Sequence, residues 1–325
     1  MNILIVDENG LIPVSTYGGT QRVIWALGKE LSRMGHKVAF LVAKGSECNF
    51  AEVIERNPRI PLTMQIPGRT DLIHFNSSVP KEVKKPYVAT VHWSDSPYLD
   101  KNSIFISQHH AGKFGSSCFV YNGLDWDEYG KVELSVKRNY YHFLGKAAWS
   151  VKNVRGAIAV TKKMPHEILH VLGGYRFNFK MGLRFTFHPR IKFHGMVGGV
   201  EKNHLLQGSK GLIFPVKWHE PFGLAIIESL FFGAPVFGTP FGSLPELVHN
   251  DVGFLSTSAG ELAEHIMHTQ YDTRICHEYA RDLFNSQVMA KAYLKKYEIV
   301  LSGKTLHEKK PELKADIDKP QWNNK

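Results

Sequence analysis

The sequence predicts an α/β protein of two domains, each built around a parallel sheet. Its 325 residues are more than twice the roughly 150 of a typical domain. Hydrophobic residues make up 43% of the chain, which is enough for buried cores and excludes wholesale disorder. A strand, helix and strand follow one another near the start, and the same order recurs in the second half, as in parallel sheets.

The first half alternates short apolar runs with one long helix. Asn2–Val6 is typical of a buried strand, Thr20–Met34 has apolar residues at helical spacing, and Lys37–Val42 is the next strand. Further short strands are predicted at Asp71–Phe75, Tyr87–Val91 and Ser103–Ser107. We expect these elements to form an N-terminal domain over residues 1–138.

The pattern restarts with a strand at Tyr140–Leu144, a helix at Asn153–Lys163 and a strand at Glu167–Leu172. Strands are also predicted at Gly211–Pro215 and Ala234–Gly238, and helices at Pro221–Phe232 and about Asn285–Leu301. We expect a C-terminal domain over residues 139–301. Residues 302–325 are polar and Lys-rich, which predicts a disordered tail.

Cysteine usage and hydropathy indicate the compartment in which the chain is expected. The three cysteines are far apart and form no CxxC pair, so neither a disulfide scaffold nor a thiolate metal site is expected. No apolar run reaches 18 residues, and the N-terminus lacks the basic segment of a signal peptide. We therefore expect a cytoplasmic protein, with a position on a membrane surface left open.

The net charge of +10 is concentrated in one stretch. Residues 139–217 contain 13 basic side chains but only two acidic ones, Glu167 and Glu201. A local surplus of this kind indicates an anionic partner, such as a phosphorylated small molecule, a lipid headgroup or nucleic acid. A solvated basic face is the alternative.

Two loops after predicted strands could bind phosphate. Tyr17-Gly18-Gly19-Thr20 opens a helix, where glycines let backbone N–H groups approach an anion; a plain flexible loop is the alternative. Lys146 follows a strand end, and Lys152 precedes a helix. Ligands of open parallel sheets bind beyond such strand ends, so the two lysines could clamp a diphosphate, although a lysine taken alone is more often solvated.

The most informative stretch runs from His219 to Glu228. The predicted helix after Pro221 is apolar nearly all round, so Glu228 in its middle is predicted to be buried. An unpaired buried carboxylate costs several kcal/mol, and Glu228 therefore needs a partner. A pair of sugar hydroxyls or a buried salt bridge would each supply one.

Glu220 and Glu228 resemble the E-x7-E motif of the retaining glycosyltransferases of family 4, which have the GT-B fold. The resemblance extends over about residues 2–301. It includes Gly18-Gly19-Thr20-Gln21-Arg22, His92, Asn122-Gly123-Leu124-Asp125, Phe143-Leu144-Gly145-Lys146, Gly195, Gly233-Ala234-Pro235-Val236 and Gly242-Ser243-Leu244-Pro245-Glu246-Leu247-Val248. It implies two Rossmann-like domains facing a central cleft, with the acceptor bound by the first and the nucleotide sugar by the second. It also implies that the last helix packs back on the first domain.

The resemblance implies roles for individual residues. Glu228 would hold the ribose of a UDP- or GDP-sugar, and Lys146 and Lys152 would hold its diphosphate, with Gly18 and Gly19 approaching it. Glu220 and His92 would contact the transferred sugar. Backbone N–H groups of Phe222, Gly223 and Leu224 would assist Glu220. The acceptor would be a glycan, a lipid-linked sugar or a small molecule. No cofactor and no metal ion are expected.

Two further motifs have simpler explanations. His166-Glu167-Ile168-Leu169-His170 matches a zinc-protease pattern, but that pattern needs a helix and this segment is predicted to be a strand. Residues 175–194 mix five basic residues with five phenylalanines and contain no acid. The segment is interpreted as an amphipathic surface element, with peripheral membrane contact as the alternative. Nucleic-acid binding is disfavoured because no recognisable motif accompanies the charge.

Two other functions stay open at this stage. A nucleotide-sugar 2-epimerase shares the fold but needs an additional carboxylate pair at the sugar, and none is evident. A non-catalytic nucleotide-sugar-binding protein would keep the donor site without transferring the sugar.

Overall fold

The computed structural model of the chain describes residues 1–14, 18–178, 184–314 and 320–324. These residues form two compact units. The first contains residues 1–14, 18–126 and 284–314, and the second contains 127–178, 184–283 and 320–324. The units divide after Trp126, whereas the sequence-based boundary was placed at residue 138.

The first unit is built on a six-stranded, fully parallel sheet in the order β3-β2-β1-β4-β5-β6. Its strands are β1 (Asn2–Asp7), β2 (Lys37–Val42), β3 (Glu52–Glu55), β4 (Leu72–Phe75), β5 (Tyr87–Val91) and β6 (Ser103–Phe105). Helix α1 (Gly19–Arg33) connects β1 to β2, and α2 (Gln108–Lys113) follows β6. The central strands β1 and β4 are buried on both faces, which explains their continuous apolar runs.

The second unit repeats this topology. Its six parallel strands lie in the order β11-β8-β7-β12-β13-β14, and a separate two-stranded antiparallel ribbon pairs β9 with β10. The strands are β7 (Tyr140–Leu144), β8 (Leu169–Leu172), β9 (Phe177–Asn178), β10 (Arg184–Phe185), β11 (Ile191–Phe193), β12 (Ser209–Phe214), β13 (Val236–Gly238) and β14 (Gly253–Leu255). The helices are α3 (Val154–Lys163), α4 (Gly199–Gln207), α5 (Leu224–Phe231), α6 (Leu244–Leu247), α7 (Ala259–His268) and α8 (Thr273–Leu283). The predicted α/β class with two parallel sheets is thereby confirmed.

The last helix, α9 (Ser286–Leu301), belongs to the first unit. It contributes two buried tyrosines to a hydrogen-bonded network beneath the sheet. His74 Nδ1 lies 2.7 Å from the Tyr297 hydroxyl, and His74 Nε2 lies 2.7 Å from Thr90 Oγ1, which is 3.0 Å from the Tyr293 hydroxyl. Burial lowers the pKa of His74 to about 3, so this histidine is neutral in the folded protein at neutral pH.

Residues 302–314 follow a defined path over the first unit, in contrast to the disordered tail predicted from composition. The backbone N–H of His307 donates to the carbonyl of Lys101 at 2.9 Å, and that of Glu312 donates to the carbonyl of Phe114 at 3.2 Å. In the second unit, Asn323 exchanges backbone hydrogen bonds with the segment that precedes α7. These hydrogen bonds join backbone groups, so the side-chain composition of the segment does not predict them. Residues 315–319 and 325 lie outside the described part of the chain.

Candidate functional site

The carboxyl ends of the central strands of the second unit carry most of the predicted site. The loops after β7 and β8 approach each other closely there. Gly173 has a φ of +117°, and a Cβ atom at this position would lie 2.2 Å from the carbonyl oxygen of Gly145. A side chain is therefore excluded at Gly173, and the backbones of the two loops lie directly against each other beside the end of β12.

A buried ion pair lies at the end of β12. The Lys152 Nζ and Glu220 Oε2 atoms are 2.6 Å apart, and the indole Nε1 of Trp218 donates to the same oxygen at 2.8 Å. Both Lys152 and Glu220 are buried, and the Lys152 ammonium also stands over the Trp218 ring at 4.8 Å from its centroid. The structure thus brings together two residues that are 68 positions apart and that the sequence analysis assigned to one site.

Asn153 fixes the position of Lys152. Lys152 ends a one-turn 3₁₀ helix, Ser150–Lys152, and Asn153 then adopts a left-handed conformation with a φ of 55°. The Asn153 side chain caps α3 by accepting from the N–H of Gly156 at 3.1 Å, and it donates to the carbonyl of Pro215 at 2.7 Å. This cap joins the start of α3 to the end of β12, so Lys152 is held against Glu220.

A tight loop after β13 holds the backbone of Glu220. The N–H of Ser243 donates to the Glu220 carbonyl at 2.9 Å, and the Ser243 hydroxyl donates to the Phe222 carbonyl at 2.7 Å. Gly242 has a φ of +69°, and a Cβ atom there would lie 2.2 Å from the backbone nitrogen of Glu220. Glycine is required at this position both for its backbone conformation and for the close approach to Glu220.

Helix α5 begins later than the sequence predicted. The prediction of a helix from Pro221 is wrong because Gly223 adopts a left-handed conformation, with a φ of 86°, and the helix starts at Leu224. No side chain in the described part of the chain caps this N-terminus. The first-turn N–H groups of a helix have no partner within the helix, so those around Gly223 and Leu224 can donate to a ligand beside Glu220.

Glu228 is 1% exposed in the middle of α5 and does have a partner. Lys202, from α4, donates to its Oε1 atom, and the Tyr129 hydroxyl donates to the same atom at 2.8 Å. The Lys202 ammonium also lies 4.8 Å from the centroid of the Tyr129 ring. The buried position of Glu228 predicted a partner, but the sequence indicated neither Lys202 nor Tyr129.

Lys146 occupies the loop after β7. Its side chain is half-buried, and its ammonium stands 5.0 Å from the centroid of the Trp149 ring. The ring contacts the ammonium of Lys146 next to the close backbone approach of Gly145 and Gly173. This position agrees with the predicted placement beyond a strand end.

The other predicted residues lie in the first unit. Gly18 and Gly19 begin α1, whereas Tyr17 lies outside the described residues. His92 follows β5, and its Nε2 atom is 2.8 Å from Asn76 Oδ1, at the end of the neighbouring strand β4. Burial lowers the pKa of His92 to about 4, so the imidazole is neutral at neutral pH.

Asp7, which the sequence analysis did not single out, is a further polar group at this edge of the first sheet. It is buried at the end of β1 and accepts from Gln21 Nε2 at 2.8 Å. Burial raises the pKa of its carboxyl group, and the hydrogen bond from Gln21 opposes that rise.

The zinc-protease pattern is not assembled as that motif requires. His170 lies on β8, as predicted, and stacks on the Tyr140 ring at 3.7 Å between centroids. Glu167 forms an ion pair with Lys210 at 2.7 Å. Within the described ranges, no group of three or more His, Cys, Asp or Glu side chains could hold a metal ion. Over the same ranges, no helix is both long and apolar enough to cross a bilayer.

Comparison with known proteins agrees with this architecture. Residues 138–271 match the family model described as "Glycosyl transferases group 1". A curated relative, the O-antigen chain mannosyltransferase B of Escherichia coli, is 27% identical over 132 residues, which cover 37% of this chain. The match spans about a third of that relative, 34% of its length.

Solved structures match over nearly the whole chain. AviGT4, a glycosyltransferase involved in avilamycin A biosynthesis, has a TM-score of 0.76 at 18% identity, covering 94% of this chain and 99% of that one. Anabaena Alr3699/HepE, solved in complex with UDP-glucose, has a TM-score of 0.65 at 18% identity, covering 92% and 99%. The fold is therefore GT-B. Residues 138–271 therefore match a glycosyl transferase domain, within a chain that has the GT-B fold.

Proposed function

We propose that this protein is a retaining glycosyltransferase of family 4. It transfers a sugar from a UDP- or GDP-sugar to a glycan, a lipid-linked sugar or a small-molecule acceptor. The observation that carries the proposal is the buried ion pair of Lys152 and Glu220 at the carboxyl end of β12. Glu220 stands eight residues before the buried carboxylate of Glu228. The UDP-glucose found with the HepE neighbour supports a nucleoside diphosphate sugar as the donor.

Lys152 and Lys146 bind the diphosphate in this proposal. An ammonium group has three donors, and Glu220 is the hydrogen-bond acceptor that Lys152 contacts among the described residues. Two donors of Lys152 are therefore left for phosphate oxygens. The N-terminus of α5 adds backbone donors and a positive dipole end on the same side.

Glu220 and Glu228 bind the two ends of the donor. Glu220, with the N–H groups of Phe222, Gly223 and Leu224, holds the transferred sugar. Glu228 accepts from the ribose hydroxyls. Lys202 and Tyr129 orient its carboxylate for that purpose.

Transfer proceeds with retention at the anomeric carbon. The bond between this carbon and the phosphate oxygen breaks, and its electron pair goes to the diphosphate. The acceptor oxygen bonds to the anomeric carbon from the same face, and its proton passes to the departing phosphate oxygen. Lys146, Lys152 and the N-terminus of α5 stabilise the charge that develops on the diphosphate.

We propose that no metal ion is needed, because these cationic groups neutralise the diphosphate. Glu167, one of the two acidic residues of the basic stretch 139–217, is already paired with Lys210. Activity should therefore survive an excess of chelator. Loss of activity with EDTA, restored by magnesium or manganese, would contradict this part of the proposal.

The direct test of the site is ligand-dependent thermal stability. The wild-type protein is screened against a panel of nucleotide sugars, and the best nucleoside diphosphate and its nucleoside are then compared in Lys152→Ala. A ligand at 100 times its Kd adds about 2.7 kcal/mol of stability. We expect the diphosphate shift to be lost and the nucleoside shift to remain, with Lys163→Ala, an exposed lysine of α3, as the control. Equal weakening of both ligands would show that Lys152 does not bind the diphosphate.

We also propose a cytoplasmic location with peripheral attachment to a membrane through the segment 175–194. The exposed aromatic and basic residues of that segment support it. Attachment would bring a lipid-linked acceptor within reach.

A further inference from the structure

A groove with mixed aromatic and cationic walls lies on the second unit, formed by α3 and the chain after β10. We call it the α3 groove. Its cavity measures about 510 Å³. Its lining includes Arg155, Lys162, Phe185, Phe187 and His188. None of these residues was assigned to the donor site.

One wall of the α3 groove carries large apolar rings in solvent. Phe185 is 66% exposed and Phe187 is 87% exposed, and the two rings stack at 15° with centroids 6.3 Å apart. Tyr175 and Phe177 nearby in the chain are 63% and 52% exposed. Single exposed apolar residues are ordinary, but several neighbouring aromatic rings left in water mark a contact surface.

The other wall of the groove is cationic. Arg155 and Lys162 are exposed and lie seven residues apart on α3, which places them on one face with a rise of about 10 Å between them. The surrounding stretch 139–217 carries 13 basic residues against two acidic ones. Burial lowers the pKa of His188 in this groove, and the positive charges of Arg190 and Lys162 lower it further.

Arg190 holds the two walls in place. Its Nη1 atom donates to three backbone carbonyls at the end of α3 and just beyond it, those of Thr161, Met164 and Glu167, at 3.1, 2.7 and 2.8 Å. Arg190 also caps the helix electrostatically, because a cation at a helix C-terminus opposes the negative end of the dipole. The rings of Phe185 and Phe187 are therefore presented from a chain segment that is anchored to α3.

We infer that the α3 groove docks on a bilayer that carries anionic phospholipid headgroups. The phenyl rings enter the interface, and Arg155 and Lys162 contact headgroup phosphates. A second copy of the chain fits poorly, because it would bring together two surfaces that both carry a surplus of positive charge. The inference develops the membrane attachment in the proposed function, but it needs no sugar transfer. It does not involve residues 179–183, which the structure does not describe.

The test is co-sedimentation of the full chain with vesicles of neutral phosphatidylcholine, alone or with 30% anionic phosphatidylglycerol. Two groove variants, Phe185→Ser/Phe187→Ser and Arg155→Gln/Lys162→Gln, are compared with matched changes elsewhere. Lys291→Gln/Lys295→Gln removes two exposed lysines of α9, and Met64→Ser removes a side chain that is 77% exposed. Urea midpoints confirm that every variant is folded.

We expect binding to the anionic vesicles and little to the neutral ones. Arg155→Gln/Lys162→Gln should lower the partition coefficient about 30-fold, which corresponds to about 1 kcal/mol for each basic residue near an anionic surface. Phe185→Ser/Phe187→Ser should lower it at least tenfold, and both controls should bind like wild type. Nucleoside diphosphate binding should be unchanged in the groove variants, so failure here is distinguishable from failure of the donor site.

Several results would overturn the inference. One is the absence of binding to anionic vesicles, and another is equal binding by the groove variants and wild type. A dimer seen by light scattering and lost in Phe185→Ser/Phe187→Ser would show that a second copy covers the groove. A salt-dependent gel shift of an oligonucleotide, lost in Arg155→Gln/Lys162→Gln without any vesicle binding, would assign the groove to nucleic acid.

Discussion

The pairing of Glu228 with Lys202 can be measured by a double-mutant cycle. Glu228 is 1% exposed and Lys202 is 7% exposed, so neither charge is solvated. Removing one partner of a buried ion pair leaves the other uncompensated and costs about 3–5 kcal/mol. The variants are Lys202→Met, Glu228→Gln and the double variant, each unfolded in urea and followed by circular dichroism.

We expect each single variant to lose about 3–5 kcal/mol of unfolding free energy. The double variant should lose at least about 2 kcal/mol less than the sum of the two, because it leaves no lone charge. Lys210→Met is the control, since its pair with Glu167 is partly exposed and such pairs contribute about 0–1 kcal/mol. Additive losses, or a Lys202→Met loss no larger than that of Lys210→Met, would refute the reasoning.

The same variants separate a structural role of Glu228 from a binding role. Glu228→Gln keeps the shape of the side chain but loses charge-assisted hydrogen bonds of about 1.5–3 kcal/mol each, so nucleoside binding should weaken at least tenfold. Lys202→Met retains the carboxylate and should weaken binding less. If Glu228→Gln binds the nucleoside as wild type does, the carboxylate serves only its buried ion pair.

Two further predictions concern the backbone of Glu220 and the network of His74. Gly242→Ala should weaken nucleoside diphosphate binding more than tenfold by displacing Glu220. Gly303→Ala is the control: Gly303 has a φ of +82°, and no atom of the described residues lies within 4 Å of the added Cβ, so the change should cost stability without affecting binding. His74 has a pKa of about 3 when folded and near 6.5 when unfolded, so unfolding takes up a proton between those values. The free energy of unfolding should therefore fall with decreasing pH over this range, by about 1.4 kcal/mol per pH unit from this group. In urea titrations, His74→Gln should remove that contribution to the slope of stability against pH. An unchanged slope would contradict the prediction.

Much of the fold was predictable because buried parallel strands appear as continuous apolar runs. Lys37–Val42, Tyr87–Val91 and Tyr140–Leu144 have the predicted bounds. The short strands β3 and β14 were not predicted. β3 begins and ends with exposed glutamates, so only its pairing with β2 defines it as a strand.

The site was predictable only where local sequence carries the chemistry. The carboxylate in an apolar helix identified Glu228 as buried, but its partner Lys202 lies on α4, whose sequence shows no apolar stripe and predicted no helix. Trp218 stands two residues before Glu220, and nothing in the sequence indicated that its indole would bind the same oxygen as Lys152. The contact between Lys152 and Glu220 follows from strand order, since β7 and β12, which precede them, are neighbours in the sheet.

The most direct measurement of the central claim is proton NMR of the first sugar released from the best nucleotide-sugar donor, in excess EDTA. Slow hydrolysis by water replaces the unknown acceptor, and the anomeric proton is read before mutarotation. We expect release of the sugar with the anomeric configuration of the donor, and loss of release in Glu220→Gln. A product of inverted configuration would contradict assignment to the retaining enzymes, and the absence of release or transfer despite donor binding would contradict an enzymatic role.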